Sequence, residues 1–343
     1  MITVGIVGTW KNTGKTTTLA YLLSKLINKK LRIAVTGIGY DGEEIDNITA
    51  LPKPRLLFER DTVVTTSEKC LNNVDLFYKT LEKTEHNTAL GNVLIIETLS
   101  PGMIVVAGPN KKSSLQSFFI QLEKYGIDVL LIDGSLNRIA PLAIVDYLIF
   151  ATGASRSEDI NFLAEEMASI EYIFNFSKNK SLSTPPAIII ENNNGKTILK
   201  TSSLFDNEDA KIVCNLLAKG NNILSIPKII SDEALNYLNN NVSEDIVVNL
   251  NADSPITFML SGNPIQTANK IKEFVKKGNC INYFNKPKLQ AVTVNPFYPK
   301  PIDHYFVTEY VDKSELQKKV QNKLSLNVYN IKENPVLELP FLN

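Results

Sequence analysis

The sequence predicts an α/β fold, with a mainly parallel sheet flanked by helices and a C-terminal α+β domain after it. Three observations carry this expectation. The apolar run Ile2, Val4, Ile6 and Val7 ends at Gly8 in a polar loop, and a helical pattern starts at Thr17. Strand-like and helix-like segments then alternate as far as Met167, the pattern of right-handed β-α-β crossovers. A second apolar run, Val129 to Ile132, ends in Asp133. A buried parallel strand delivers such a carboxylate to the C-terminal edge of its sheet.

The first loop reads Thr9-Trp10-Lys11-Asn12-Thr13-Gly14-Lys15-Thr16. Strand, loop and helix in that order are what a phosphate-binding loop requires. Backbone N–H groups and the positive end of the helix turn toward one point, which suits a triphosphate. Gly14 lets the backbone approach without a Cβ in the way. Lys15 reaches the β and γ phosphates, and the Thr16 hydroxyl is a Mg²⁺ ligand. The expected nucleotide contacts are therefore Thr9, Trp10, Lys11, Asn12, Thr13, Gly14, Lys15, Thr16 and Thr17, and the fold class narrows to a P-loop NTPase. The usual spacing asks for glycine where Thr9 stands; Gly8 is one residue early. In the deviant P-loop ATPases an extra lysine stands five residues before the main one and crosses a dimer interface. Trp10 occupies that position here, with Lys11 beside it.

After the helix Thr17 to Asn28, Leu31 to Thr36 reads as a second strand. It runs into Gly39-Tyr40-Asp41-Gly42. A carboxylate there is placed to face the γ phosphate, through Mg²⁺ or through the attacking water, so Asp41 is a candidate catalytic residue with Lys15 and Asp133. Glu43, Glu44 and Asp46 read as the solvated side of that turn. Leu51 to Arg55 is a stiff basic connector. Asp61 to Thr66 is β-rich, and Lys69 to Lys83 has helical spacing through Leu71, Val74, Phe77, Tyr78 and Leu81. Val93 to Ile96 and Met103 to Val106 flank a Ser100-Pro101-Gly102 turn and predict a hairpin. A helix from Ser113 to Tyr125 leads to the Walker B strand, where Asp133 complements Thr16 at the magnesium. Another strand covers Val145 to Ala151, and a helix covers Ser157 to Met167.

The polar, proline-closed stretch 177–186 reads as a linker between a nucleotide-binding domain (1–176) and a C-terminal α+β domain (187–343). In the latter, Asn192-Asn193-Asn194-Gly195 predicts a hairpin turn. Helices are expected from Glu208, Pro264 and Lys313. Strands are expected at Val247 to Leu250, Ile256 to Leu260, Leu289 to Val294 and Asn327 to Ile331. Asn285-Lys286-Pro287-Lys288 shares two residues with the guanine-reading NKxD motif but lacks its aspartate, so it is not read as guanine specificity.

The chain has 343 residues, which suits two domains at about 100–200 residues each. Lys plus Arg equals Asp plus Glu at 36 each, which argues against bulk attraction to nucleic acid or an anionic membrane. Cys70, Cys214 and Cys280 form no CxxC and read as small buried hydrophobes in a reducing compartment. His86 and His304 stand in no metal or triad pattern. There is no leader-like N-terminal run, and no apolar run approaches the roughly 18 residues that span a bilayer. A cytoplasmic protein is expected.

Gly8 to Thr18 resembles the loop of the molybdopterin-guanine dinucleotide accessory proteins, in the same broad class as dethiobiotin synthetase. A longer set is similar to another family. It comprises Gly8 to Thr18, Ile38 to Glu43, Pro52 to Arg55, Thr88 to Gly91, Ala107 to Pro109, Leu131 to Gly134 and Ala151 to Ala154, in order along residues 1–155. Together they resemble the P-loop subunit of the reactivase for the coenzyme-B12-dependent lysine 5,6-aminomutase, found beside enzymes of amino-acid fermentation. The similarity fades in the C-terminal half. Where the family has a carboxylate after Walker B, this chain has Asn137, so no such role carries over. The resemblance implies an ATP- and Mg²⁺-dependent ATPase that remodels the aminomutase so that damaged cobalamin leaves, with a second reactivase subunit as partner. ATP rather than GTP is implied by the resemblance alone. A homodimer is a further expected assembly. Two alternatives stay open: a kinase- or ligase-like enzyme of cofactor synthesis, and a nucleotide-binding regulatory protein without turnover.

Overall fold

The computed structural model describes residues 1–40, 56–72, 74–179, 183–260, 262–302, 305–333 and 337. The chain divides into two compact units, Met1–Ala164 with Lys288–Asn343, and Glu165–Pro287. Asp41, the acidic residues after it, the connector 51–55 and His304 lie outside the described residues.

Among its described residues the first unit holds a nine-stranded sheet. Its strands are β1 (Ile2–Gly8), β2 (Ile33–Gly37), β3 (Val63–Ser67), β4 (Tyr78–Thr88), β5 (Gly91–Thr98), β6 (Val129–Ser135), β7 (Tyr147–Gly153), β8 (Lys288–Asn295) and β9 (Val328–Tyr329). Their spatial order is β9-β8-β7-β1-β6-β2-β3-β5-β4. Every neighbouring pair from β9 to β3 is parallel, and β5 and β4 close the sheet as an antiparallel edge. The fold is thus mixed α/β with a large, mostly parallel sheet.

The central strands β1, β6 and β7 are buried along nearly their whole length, and their sequences are almost continuous apolar runs. That is the composition a parallel strand needs when both faces are covered. Helix α1 (Lys15–Asn28) spaces Leu19, Leu22, Leu23 and Leu26 along one stripe and buries all four in one cluster with Val4, Ile6, Val35 and Leu131. Each such leucine contributes about 1.5–3 kcal/mol. Because β6 lies between β1 and β2, and β7 lies on the other side of β1, strand order reverses at β1. Open α/β sheets keep their ligand crevices at the carboxyl ends of strands at such a point.

The antiparallel edge departs from the sequence expectation. Residues 93–96 and 103–106 do not pair with each other. The strand β5 pairs with β3 and β4, while Gly102–Ile104 pairs with Leu56–Phe58 and Ala107–Gly108 with Gly39–Tyr40. The stretch expected to be helical, 69–83, is a short 3-10 turn at Glu68–Leu71 followed by β4. Its helical spacing was not a buried face: Phe77 is 77% exposed, while Leu76, outside the pattern, is buried.

The larger correction concerns the C-terminal half. Leu289 to Val294 does form a strand, within β8, but β8 pairs with β7 in the first sheet and β9 pairs with β8. A continuous apolar parallel strand needs both of its faces covered, and Leu289, Ala291, Val292 and Val294 are buried there. The stretch 177–186, expected as a linker, falls inside the second unit, where Ser177–Lys178 pairs with Cys280–Tyr283.

The second unit is wound as α/β rather than the α+β expected. Gly220–Ile226, Ile246–Ala252 and Cys280–Tyr283 run parallel, joined by the helices Asp232–Asn241 and Pro264–Lys276. An antiparallel hairpin, Ile189–Asn192 with Gly195–Ile198, forms where the asparagine-rich turn predicts it. Gly195 takes φ of 116°, and Asn192 Oδ1 accepts the Asn194 N–H. Residues 256–260 are expected as a strand, but Pro255–Met259 makes a 3-10 turn instead, because Ser254 and Thr257 form a reciprocal capping box and Pro255 opens it.

Tyr283 is fully buried in this unit, and its hydroxyl donates to the Ile173 carbonyl at 2.6 Å. That carbonyl lies in the last turn of helix α2 (Ile160–Phe174), where intrahelical donors run out. Tyr283→Phe is expected to cost about 1–3 kcal/mol, since it leaves a buried carbonyl without a donor. Burial, and then the neighbouring Tyr172, push the Tyr283 phenol well above its ordinary 10.0. The unfolded phenol loses its proton near that ordinary value while the folded one keeps it. The contribution is therefore intact below pH ~10 and falls as pH rises further. Urea titrations of both proteins check this: the variant should lack that part of the alkaline decline.

Cys70 and Cys214 are half-buried and Cys280 is exposed, all three as free thiols, so the expectation of three buried cysteines fails. Among the described residues no helix is long and apolar enough to cross a membrane.

Candidate functional site

The site is built where β1 ends. Gly8 closes the strand, and the loop folds back across it. A Cβ on Gly8 would stand 3.1 Å from Thr13 Oγ1 and 3.2 Å from the Trp10 carbonyl oxygen. Gly8 therefore makes the close approach that the usual spacing assigns to position 9. Thr9 is free to carry a side chain because it points away from that crossing. It is 2% exposed, its N–H donates to the Ala151 carbonyl at 2.9 Å, and its hydroxyl donates to Thr152 Oγ1 at 3.1 Å.

Two residues with left-handed backbone shape the rest of the loop. Asn12 has φ of 61°, which asparagine tolerates better than most residues. Gly14 has φ of 93° and ψ of 10° and is the N-cap of α1. A left-handed residue followed by a right-handed one turns successive N–H groups to one side, as an anion-binding nest does. Thr13 is buried, and its hydroxyl donates to the Trp10 carbonyl at 2.9 Å. The first N–H of the helix to find a partner is that of Thr18, bonded to the Gly14 carbonyl at 2.9 Å. The N–H groups of Lys15, Thr16 and Thr17 have none among the described residues, as expected of a first helical turn.

Lys15 and Asp133 meet. Lys15 Nζ lies 3.0 Å from Asp133 Oδ1, with the two side chains 20% and 19% exposed. By distance this is an ion pair, and Asp133 Oδ1 is a buried atom without a hydrogen bond among the described residues. The pairing follows from the sheet: Asp133 on β6 stands beside Ile6 on β1 and Gly37 on β2. The Asp133 carbonyl accepts the Ile38 N–H at 3.0 Å, so the chain leaving β2 toward residue 41 starts alongside this carboxylate. Thr16 is half-buried, and its hydroxyl has no partner among the described residues.

The remaining expected contacts sit at the outer tip. Trp10 is 52% exposed, with the Arg156 guanidinium 5.1 Å from its ring centroid and 5.5 Å from that of Phe162. Lys11 is exposed, and its carbonyl accepts from Ser155 Oγ at 2.8 Å. Thr17 is half-buried beside Thr18, whose hydroxyl meets Thr293 Oγ1 at 2.8 Å.

One residue of the site escaped the sequence reading. Asn295, at the end of β8, donates from Nδ2 to the Asn12 carbonyl at 2.8 Å. An Asn-Pro step after an apolar strand is the local signal, but it reads as a turn unless β8 is known to belong to the first sheet.

An oxygen donor set of one carboxylate and one hydroxyl beside a phosphate is what Mg²⁺ takes, since it usually binds through one or two carboxylates together with phosphates and water. Asp133 Oδ1, ion-paired to Lys15 but without a hydrogen bond among the described residues, and the Thr16 hydroxyl, unpartnered among them, fit that ion. Among the described residues no three His, Cys, Asp or Glu side chains converge to hold a metal by themselves.

No protein-family model matches this sequence, and no curated protein matches it significantly. Among solved structures, one of pNOB8 ParA bound to nonspecific DNA aligns with 81% of this chain and 98% of that chain. The identity is 12% and the TM-score 0.24. A TM-score that low carries no inference about this chain.

Proposed function

We propose that residues 10–17 bind the polyphosphate of a nucleoside triphosphate, Thr9 being committed to Ala151 and Thr152 instead, with Mg²⁺ between Thr16 and Asp133, and that the protein is a Mg²⁺-dependent ATPase. The observation that carries this reading is the Lys15–Asp133 contact at the mouth of α1. A lysine there needs an anion, and the carboxylate supplies it. An arriving phosphate offers Lys15 more negative charge, so the ammonium transfers to the phosphate oxygens. Asp133 would then be free to hold Mg²⁺ together with Thr16. The first-turn N–H groups of α1 complete the cradle with both hydrogen bonds and the helix dipole. When bound, Mg²⁺ would neutralise the charge that builds on the transferring phosphoryl group.

The exchange of partners makes a specific expectation. Calorimetry should show ATP binding that weakens sharply when Mg²⁺ is withdrawn, and Asp133→Asn should abolish the Mg²⁺ increment while retaining metal-free binding. GTP and non-hydrolysable analogues in the same titrations decide base preference and turnover. No binding of any nucleotide would sink the reading.

The finer role rests on the similarity of residues 1–155 to the reactivase family. On that reading the protein is the ATP-binding subunit of a factor that grips a coenzyme-B12-dependent aminomutase and releases damaged cobalamin, with a second subunit. Its test is ATP-dependent cobalamin release from an inactivated mutase; no release in the presence of ATP would remove this role and leave nucleotide binding untouched.

A further inference from the structure

The amide of Asn295 has two ends, and only one of them serves the loop. Nδ2 donates to the Asn12 carbonyl at 2.8 Å, while Oδ1 accepts the Phe297 N–H at 3.3 Å. Phe297 is the first residue of a two-stranded ribbon, Phe297–Ile302 paired with Tyr305–Tyr310, which forms a sheet of its own. Asn295 also closes over the loop from outside: its Cβ is 3.2 Å from where a Cβ on Gly14 would stand.

The ribbon is exposed along much of its length, including Ile302, Phe306, Val307 and Tyr310. A two-stranded ribbon standing alone is marginally stable in water. Much of what steadies this one lies at its base. Phe297 and Tyr310 meet edge to face at 6.1 Å between ring centroids, and the Val311 N–H donates to the Pro296 carbonyl at 3.0 Å. The Tyr298 hydroxyl bonds Glu158, and Asn295 Oδ1 holds the first N–H. An element so near balance responds visibly to a small coupling free energy.

We infer that Asn295 is a positioning residue that couples occupancy of the loop to the order of the Phe297–Tyr310 ribbon; this rests on the nucleotide reading above. The grip falls on Asn12, whose left-handed backbone sets the loop's shape. A ligand that fixes the loop fixes the Asn295 amide, and the amide fixes the ribbon's first N–H. The coupling is reciprocal, so whatever orders the ribbon raises nucleotide affinity by the same factor.

Hydrogen–deuterium exchange of the full chain with and without Mg·ATP tests this, with calorimetry on the same samples. Asn295→Asp keeps the oxygen that Phe297 uses and puts an acceptor where Asn12 needs a donor. In the wild type, nucleotide should slow exchange across 297–310. The Asp variant should bind about tenfold more weakly, ~1.4 kcal/mol. Its ribbon should exchange like wild type when free and should not respond to nucleotide even at saturation. Asn295→Ala, which cuts both ends, should speed ribbon exchange in the free protein too. Wild-type binding with an unresponsive ribbon overturns the coupling and leaves the nucleotide reading intact, and this arm decides even if a variant fails to fold. A responsive ribbon in the Asp variant overturns the role of Asn295. No nucleotide binding to the wild type overturns both readings.

Discussion

Lys15→Ala is expected to abolish nucleotide binding and leave the fold in place. Among the described residues the Lys15 ammonium of the free protein has one anionic neighbour, Asp133 Oδ1 at 3.0 Å. With nucleotide bound it would face several phosphate oxygens in a cleft where water is scarce. Removing one partner of a close, largely desolvated charge pair costs about 2–5 kcal/mol, which is some thirtyfold to several thousandfold in Kd. The nucleotide-free fold loses far less. Both side chains of the pair retain about a fifth of their exposure, so solvent already screens it. A pair of that kind sits nearer the ~0–1 kcal/mol of surface ion pairs than the cost of breaking a buried one. Melting should therefore shift by no more than about 2–4 °C for a protein of this size. Calorimetry and a thermal melt on the same preparation check both halves. An unchanged Kd would refute the phosphate role; a collapse of the melt would mean that Lys15 is structural.

Gly153→Ala is expected to be strongly destabilising in the first unit. Gly153 pairs with Asn295 across β7 and β8, and a methyl on it would overlap the Asn295 carbonyl oxygen. The obstacle is backbone, which cannot rotate away as a side chain would. It is also fixed, because that oxygen accepts the Ala154 N–H at 2.9 Å. Relief requires the ends of β7 and β8 to part, so the cost should reach or exceed the ~1–3 kcal/mol typical of overpacking. Gly126→Ala is the comparison. That glycine has φ of 65° but open space around its Cβ position, so its cost is backbone strain of about 1 kcal/mol. Urea denaturation should rank Gly153→Ala well below Gly126→Ala. Equal stabilities would mean that the strands separate more easily than their ladder implies. The same change should weaken nucleotide binding, because Asn295 moves with its carbonyl.

The strand, loop and helix at residues 2–28 were legible because their signals are local. Apolar runs, a glycine before lysine and leucines at helical spacing all lie within a few turns of one another. The buried strand that carries Asp133 was legible for the same reason, as an apolar run closing on a polar residue. Position 9 misled because a consensus counts residues, whereas the crossing itself needs only one glycine under the loop, and Gly8 supplies it. The edge strand β4 was misread because Leu71, Val74, Phe77 and Leu81 fit a helical period by spacing alone. Nothing local distinguishes that from a solvent-facing edge, where charges such as Lys79, Glu82 and Lys83 protect the unpaired side. Strand order was not legible at all. The apolar pattern of Leu289 to Val294 declares a buried strand but not which sheet receives it, so Asn295 was invisible as a partner of Asn12. Asp41 lies outside the described residues.

The return of residues 288–295 to the first sheet has a consequence for biosynthesis. A ribosome releases β1 and β7 long before β8 exists, with the whole of Glu165–Pro287 emerging in between. Until β8 arrives, the outer edge of β7 is an apolar strand edge with no neighbour, the kind of surface that invites misassembly. The second unit, continuous in the chain, can collapse on its own during that interval. The first must wait for a contact spanning well over a hundred residues, and loop-closure entropy makes such contacts slow.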